Sequence, residues 1–106
     1  MDFEQNIFEI EYTEQCIEEM EEIYEYISKK LKNNSAAIRL IEMVYEKVLN
    51  LAKSPDLYMK IGKADKLKRD YHRIVIKNYV ILYTVDYQNK KVFVSRMIYG
   101  KRKYLN

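Results

Sequence analysis

The sequence predicts an α+β fold in which one strand, an antiparallel helical hairpin and an antiparallel three-stranded meander follow in order, both helices on one side of the sheet. Three observations carry this. The apolar period is about 3.6 residues through the first half of the chain and 2 in its last third. The link Lys32-Asn-Asn-Ser35 between the two helical stripes is too short for anything but antiparallel neighbours. The turn signals Lys77-Asn78 and Gln88-Asn89-Lys90 cut the last third into runs of strand length, and links that short force antiparallel pairing.

Residues 6–12 alternate, with Phe8, Ile10 and Tyr12 on one side and Glu9 and Glu11 on the other, as in a strand with one wet face. Thr13 stands at the N-cap position of the first helix, and Glu14 places a carboxylate where the helix dipole favours it. Ile17, Met20, Tyr24, Ile27 and Leu31 then form the core stripe, while Glu18, Glu19, Glu21, Glu22 and Glu25 face water. With no His nearby, that glutamate cluster reads as a solvated face rather than a metal site. Ser35 is the N-cap of the second helix, whose stripe Ala37, Ile41, Val44, Val48 and Leu51 continues until Ser54-Pro55 stops it. Residues 56–70 hold Gly62 and five basic residues with weak periodicity, and read as an exposed connection with a short helical turn near 65–67.

The meander is rich in β-branched and aromatic residues. In its first strand His72, Ile74 and Ile76 oppose Tyr71, Arg73 and Val75. In its second, Tyr79, Ile81, Tyr83 and Val85 oppose Val80, Leu82 and Thr84. In its third, Phe93, Ser95, Met97 and Tyr99 oppose Val92, Val94, Arg96 and Ile98. His72 and Arg73 therefore point to opposite faces.

A chain of 106 residues supports one domain, residues 1–106. The single cysteine, Cys16, forms no internal disulfide, and a buried apolar role suits it better than a reactive one. The first residues lack the basic and apolar regions of a signal peptide, and no apolar run is long enough to span a bilayer, so the expected location is cytoplasmic, with no membrane partner. The net charge of +3 conceals an asymmetry. Residues 1–31 carry ten acidic and two basic groups, whereas residues 56–106 carry four acidic and thirteen basic ones. A basic sheet region of this kind is suited to a polyanion or an acidic partner.

One His, no Cys pair and no Gly-rich phosphate loop leave zinc, nucleotide-hydrolysis and triad chemistry without parts; no cofactor and no metal are expected. What remains is a basic and phenolic set: His72, Arg73, Arg96, Tyr99, Lys101, Arg102, Lys103 and Tyr104. Arg and Lys hold phosphates, Tyr stacks on bases, and His or Tyr can move a 2′-hydroxyl proton.

In order, Ile10-Glu-Tyr-Thr-Glu14, Asn33-Asn-Ser-Ala-Ala37, Leu51-Ala-Lys-Ser-Pro55, Tyr71-His-Arg-Ile74, Tyr79-Val-Ile-Leu-Tyr83 and Arg96-Met-Ile-Tyr-Gly-Lys-Arg102 span nearly the whole chain. This order resembles the RelE/ParE toxin superfamily, and is closer to its ParE-like pattern. The resemblance implies a growth-inhibiting toxin of a type II toxin–antitoxin system, neutralised by a cognate antitoxin and meeting operator DNA only through that complex. ParE-like members poison DNA gyrase; RelE-like members cleave mRNA on the ribosome without a metal. Under the ribonuclease alternative a rearranged site uses His72, Arg73, Arg102 and Tyr104. The resemblance matches Arg73 and Arg102 to family cations, Tyr104 stands in for the terminal tyrosine at a short spacing, and His72 is added as a proton donor. Under the binding reading, Arg96, Tyr99, Lys101, Arg102, Lys103 and Tyr104 contact the target or the antitoxin. Two cations of the RelE-like set fall on Val75 and Val80. Each such contact is worth about 2–4 kcal/mol to a charged transition state, so the sequence favours the ParE-like binder.

Overall fold

In the computed structural model, which describes residues 7–63 and 69–100, the chain runs through β1 (Glu9–Tyr12), α1 (Glu14–Glu25), a π-helical segment (Tyr26–Lys30), α2 (Asn34–Leu49) and a 3-10 turn (Asn50–Ala52). Four more strands follow: β2 (Lys60–Lys63), β3 (Asp70–Ile76), β4 (Tyr79–Asp86) and β5 (Lys91–Tyr99). The sheet order is β1-β5-β4-β3-β2, with β1 parallel to β5 and every other pair antiparallel. This is the expected α+β architecture with one strand more. The helical hairpin carries the chain from β1 at one edge of the sheet to β2 at the other, and the meander then returns to lay β5 beside β1.

The added strand is β2, which lies where an exposed connection was expected. Lys60-Ile-Gly-Lys63 shows no apolar period because it is a short edge strand with a bulge, Lys60 facing His72 and Gly62 facing Tyr71. Gly62 sits at φ +128°, a backbone conformation that a side chain would strain. The helical turn expected near 65–67 lies outside the described residues.

Thr13 caps α1 as expected, its hydroxyl accepting the Cys16 N–H at 3.2 Å. The stripe that enters the core is Cys16, Met20 and Ile27, with Ile23 half-buried beside them; Ile17 and Leu31, both expected inside, are exposed. The π-helical segment inserts one residue into the helical repeat, which turns Leu31 out of phase. α2 is capped by Asn33, not Ser35: the Asn33 side chain accepts the Ala36 N–H at 3.0 Å. Asn and Ser cap about equally well, so a run of three such residues did not single one out. Its core stripe is Ala37, Leu40, Val44, Val48 and, beyond the helix, Leu51, with Ile41 only half-buried.

Between the helices and the sheet lie Ile74, Ile76, Ile81, Tyr83, Val85, Val92, Val94 and Met97. Burial of side chains of this size stabilises by about 1.5–3 kcal/mol each. Tyr83 is the largest of them, and its hydroxyl donates to the Pro55 carbonyl at 2.9 Å, so no polar atom is stranded.

The expected alternation fails in β5. Tyr83 faces Val94 and Leu82 faces Arg96, which leaves Ser95 as an extra, bulged residue. Val92 and Val94 therefore share the core side with Met97, from which strict alternation would separate them. The bulge is held from both sides: Thr13 Oγ1 donates to the Ser95 carbonyl at 3.1 Å, and Ser95 Oγ donates to the Leu82 carbonyl at 3.2 Å. No helix among the described residues is long and apolar enough to cross a membrane.

Candidate functional site on the open face of the sheet

The face turned away from the helices carries the positions on which the target reading depends. Register sets them in rows across β3, β4 and β5. Arg73, Leu82 and Arg96 form one row, and Val75, Val80 and Ile98 the next. Strands lie about 4.8 Å apart, so the two arginines start roughly 10 Å from each other.

Arg73 is only partly exposed, with its backbone N–H on the Met59 carbonyl at 3.0 Å and its guanidinium 3.8 Å from the Met59 sulfur. Arg96 is held more firmly. Its Nε and one Nη each lie 2.8 Å from Glu19 Oε2, and the other Glu19 oxygen accepts the Met97 N–H at 2.8 Å. That pairing holds the Arg96 guanidinium above its ordinary pKa, chiefly through the Glu19 hydrogen bond. Glu19 was expected to face water. Instead its side chain is 18% exposed and closes the edge of β5 beyond the end of β1, where a bare strand edge would otherwise stand. The signal available in the sequence was its spacing: Glu19 follows the buried Cys16 by three residues. Burial, then Glu19, pushes the Cys16 thiol up to about 12, which fits the apolar role expected for it.

The neighbouring row is apolar. Val75 faces Val80 directly, and Val80 faces Ile98. Val75 is 58% exposed, whereas Val80 and Ile98 are 3% and 6% exposed. Val75 and Val80 are the two positions where the sequence led us to expect the cations of the RelE-like pattern to be replaced. Their side chains offer neither charge nor hydrogen-bond donor to a phosphate.

The structure does not bring the expected site residues together. His72 lies on the helix side, 6% exposed, its ring stacked on Tyr83 at 4.9 Å, with Nδ1 donating to the Tyr58 carbonyl at 2.9 Å. It shares no face with Arg73, as the alternation of β3 required. Tyr99 also belongs to the helix side, opposite Tyr79, with the two rings edge-to-face at 5.8 Å. Tyr79, Tyr99, Tyr26 and Leu31 border a groove of about 740 Å³ at that end of the sheet. Burial, followed by Tyr99, raises the Tyr79 phenol above its usual pKa. Gly100 closes the strand, its N–H on the Asn78 carbonyl; a Cβ there would lie 3.1 Å from that oxygen and 3.3 Å from Val80 Cγ2. Lys101, Arg102, Lys103 and Tyr104 lie outside the described residues. Among the described residues no group of three or more His, Cys, Asp or Glu side chains is placed to hold a metal ion.

The fold is shared with known toxins. The chromosomal ParDE TA system from P. aeruginosa matches with a TM-score of 0.69 at 12% identity, covering 91% of this chain and 99% of that one. The toxin–antitoxin complex RelBE2 from Mycobacterium tuberculosis matches at 0.63 and 15%, over 92% and 97%. The isolated E. coli RelE toxin matches at 0.60 and 18%, over 92% and 89%. No curated protein matches the chain in sequence. The family model described as the ParE toxin of the type II toxin-antitoxin system, parDE, matches residues 10–104, nearly the full length, and the chain belongs to that toxin family.

Proposed function

We propose that this toxin acts by binding rather than by cutting RNA, poisoning DNA gyrase in the manner expected of a ParE-like protein, and that a cognate antitoxin neutralises it. The observation that carries the reading is the Val75–Val80–Ile98 row. Phosphodiester cleavage without a metal needs donors aimed at the charge that develops on the phosphate. Where the RelE-like reaction places two such cations, this chain places isopropyl groups. Of the neighbouring row, Arg96 is already engaged by Glu19, which leaves Arg73 as the cation of these two rows without an acidic partner among the described residues.

Val75, exposed at the end of an otherwise buried apolar row and next to Arg73 on the same face, instead offers a protein contact an apolar anchor with a cationic rim. The same surface suits an antitoxin segment that is acidic and amphipathic, given the thirteen basic groups of residues 56–106. Opposite charge speeds its encounter and apolar anchors set its residence time. Purified toxin is therefore expected to inhibit gyrase supercoiling of a relaxed plasmid. Toxin that arrests growth but leaves supercoiling untouched rejects gyrase as the target. Association with the antitoxin is expected to slow as salt rises; a rate independent of salt contradicts the electrostatic part of the proposal.

A further inference from the structure

On the helix side, beyond the paired ends of β2 and β3, a cleft of about 610 Å³ opens between the segment that follows Pro55 and the end of β4. His72 lines it, though the residue is 94% buried. Its tautomer is set by its neighbour. The Tyr58 carbonyl can only accept, so Nδ1 carries the proton, and Nε2 of the neutral ring is an acceptor. The stack on Tyr83 fixes the ring plane. Nε2 has no hydrogen-bond partner among the described residues. No fully buried side-chain nitrogen or oxygen among them lacks a partner, so Nε2 is not fully buried, and the cleft is the space that His72 lines.

The charges around it are unequal. Lys60 is paired with Asp70 at 3.2 Å. The Arg69 guanidinium lies over the Phe93 ring, 4.8 Å from its centroid. Both cations of the cleft are thus engaged. Asp86 accepts the backbone and side-chain N–H groups of Asn89 at 3.1 and 2.9 Å, bonds that hold its carboxyl below the usual range and keep it ionised. Asp56 makes no hydrogen bond or ion pair among the described residues. What the cleft leaves unmet is a buried acceptor and a free carboxylate, beside the phenol rings of Tyr58 and Tyr87.

We propose that this cleft binds a guanidinium or ammonium group, with His72 Nε2 accepting its hydrogen bond, Asp56 supplying the opposing charge and Tyr58 and Tyr87 forming the walls. Tyrosine faces attract such cations, and carboxylates strengthen the contact. A small organic cation and an arginine or lysine side chain of a bound protein present the same chemistry. The site lies on the side of the sheet opposite Arg73 and Val75, so it stands or falls independently of the gyrase reading.

The test is an NMR titration of the full chain, following the His72 ring nitrogens, with three probes: N-acetyl-arginine amide, acetyl-Ala-Arg-Ala-amide and inorganic phosphate. Both guanidinium probes are expected to shift Nε2 saturably and phosphate is not. Asp56→Asn, at an exposed position that leaves the fold intact, is expected to weaken binding about tenfold, the loss of one charge-assisted contact. His72→Phe keeps an aromatic ring against Tyr83 and is expected to abolish the accompanying shifts at Tyr58 and Tyr87. A peptide that binds about tenfold more tightly than the free amide assigns the site to a partner's side chain; equal affinity assigns it to a free cation. Saturable binding of phosphate, or no saturation by either guanidinium probe at about 10 mM, overturns the proposal.

Discussion

The two faces of the sheet are built from the same three strands, yet they are finished differently. On the helix side, Ile74, Ile81, Tyr83, Val94 and Met97 are sealed under α1 and α2, and the polar atoms of Tyr83 and His72 that point inward find backbone carbonyls. On the open face, the rows end in Val75, which is left in solvent, and in Arg73, which has little to hold it. One face fixes the fold, and its residues cannot change without cost. On the other, exposed Val75 and half-exposed Arg73 make few contacts that the fold depends on, while the fold itself is common to toxin structures at 12–18% identity.

Substitution measures the contrast directly. Ile81→Ala, at a fully buried core position, is expected to cost about 2–5 kcal/mol in urea unfolding. Val75→Ala, at a position 58% exposed, is expected to change stability by no more than about 0.5 kcal/mol. Equal losses at the two positions would show that the open face is also part of the core.

The edge of β5 is the next most sensitive place. Glu19→Ala strips both Arg96 and the Met97 N–H of their acceptor and is expected to cost about 1–3 kcal/mol. Glu19→Gln keeps an acceptor and is expected to lose less. An Arg96→Ala background should reduce the Glu19→Ala penalty, because the guanidinium is then no longer left unpaired.

A smaller effect appears in alkali. Burial raises the Cys16 thiol from 9.0 to about 12. A raised folded pKa stabilises fully below the unfolded value, and that contribution is lost as pH climbs from about 9 towards about 12. Tyr12 and Tyr83, also raised by burial, join only above 10. Cys16→Ala is therefore expected to flatten the fall in stability that begins near pH 9. An unchanged slope between pH 9 and 10 in that variant contradicts the burial of the thiol.

These contrasts also mark where the sequence was legible. Local signals were read well: the Thr13 cap, the two turns of the meander and the alternation that separates His72 from Arg73 all act within a few residues. What was missed depends on pairing between distant segments. β2 is too short and charged to show a period, and only its partner β3 makes it a strand. The Ser95 bulge is invisible in the alternation of β5 alone, because it is set by Thr13 and Leu82. Glu19 looked like one more wet glutamate until the unpaired edge of β5 gave it a role. The cleft beside His72 was missed for the same reason, since Tyr58 and Asp86 meet there only through the sheet.

A toxin that acts by binding leaves ribosome-bound mRNA uncut, and primer extension on a reporter message tests that most directly. The assay compares the wild-type toxin with Arg73→Ala, at a surface position whose loss leaves the core untouched. An intact message is expected with both proteins. Codon-positioned cuts made by the wild type and absent with Arg73→Ala would contradict it and establish a ribonuclease built around Arg73.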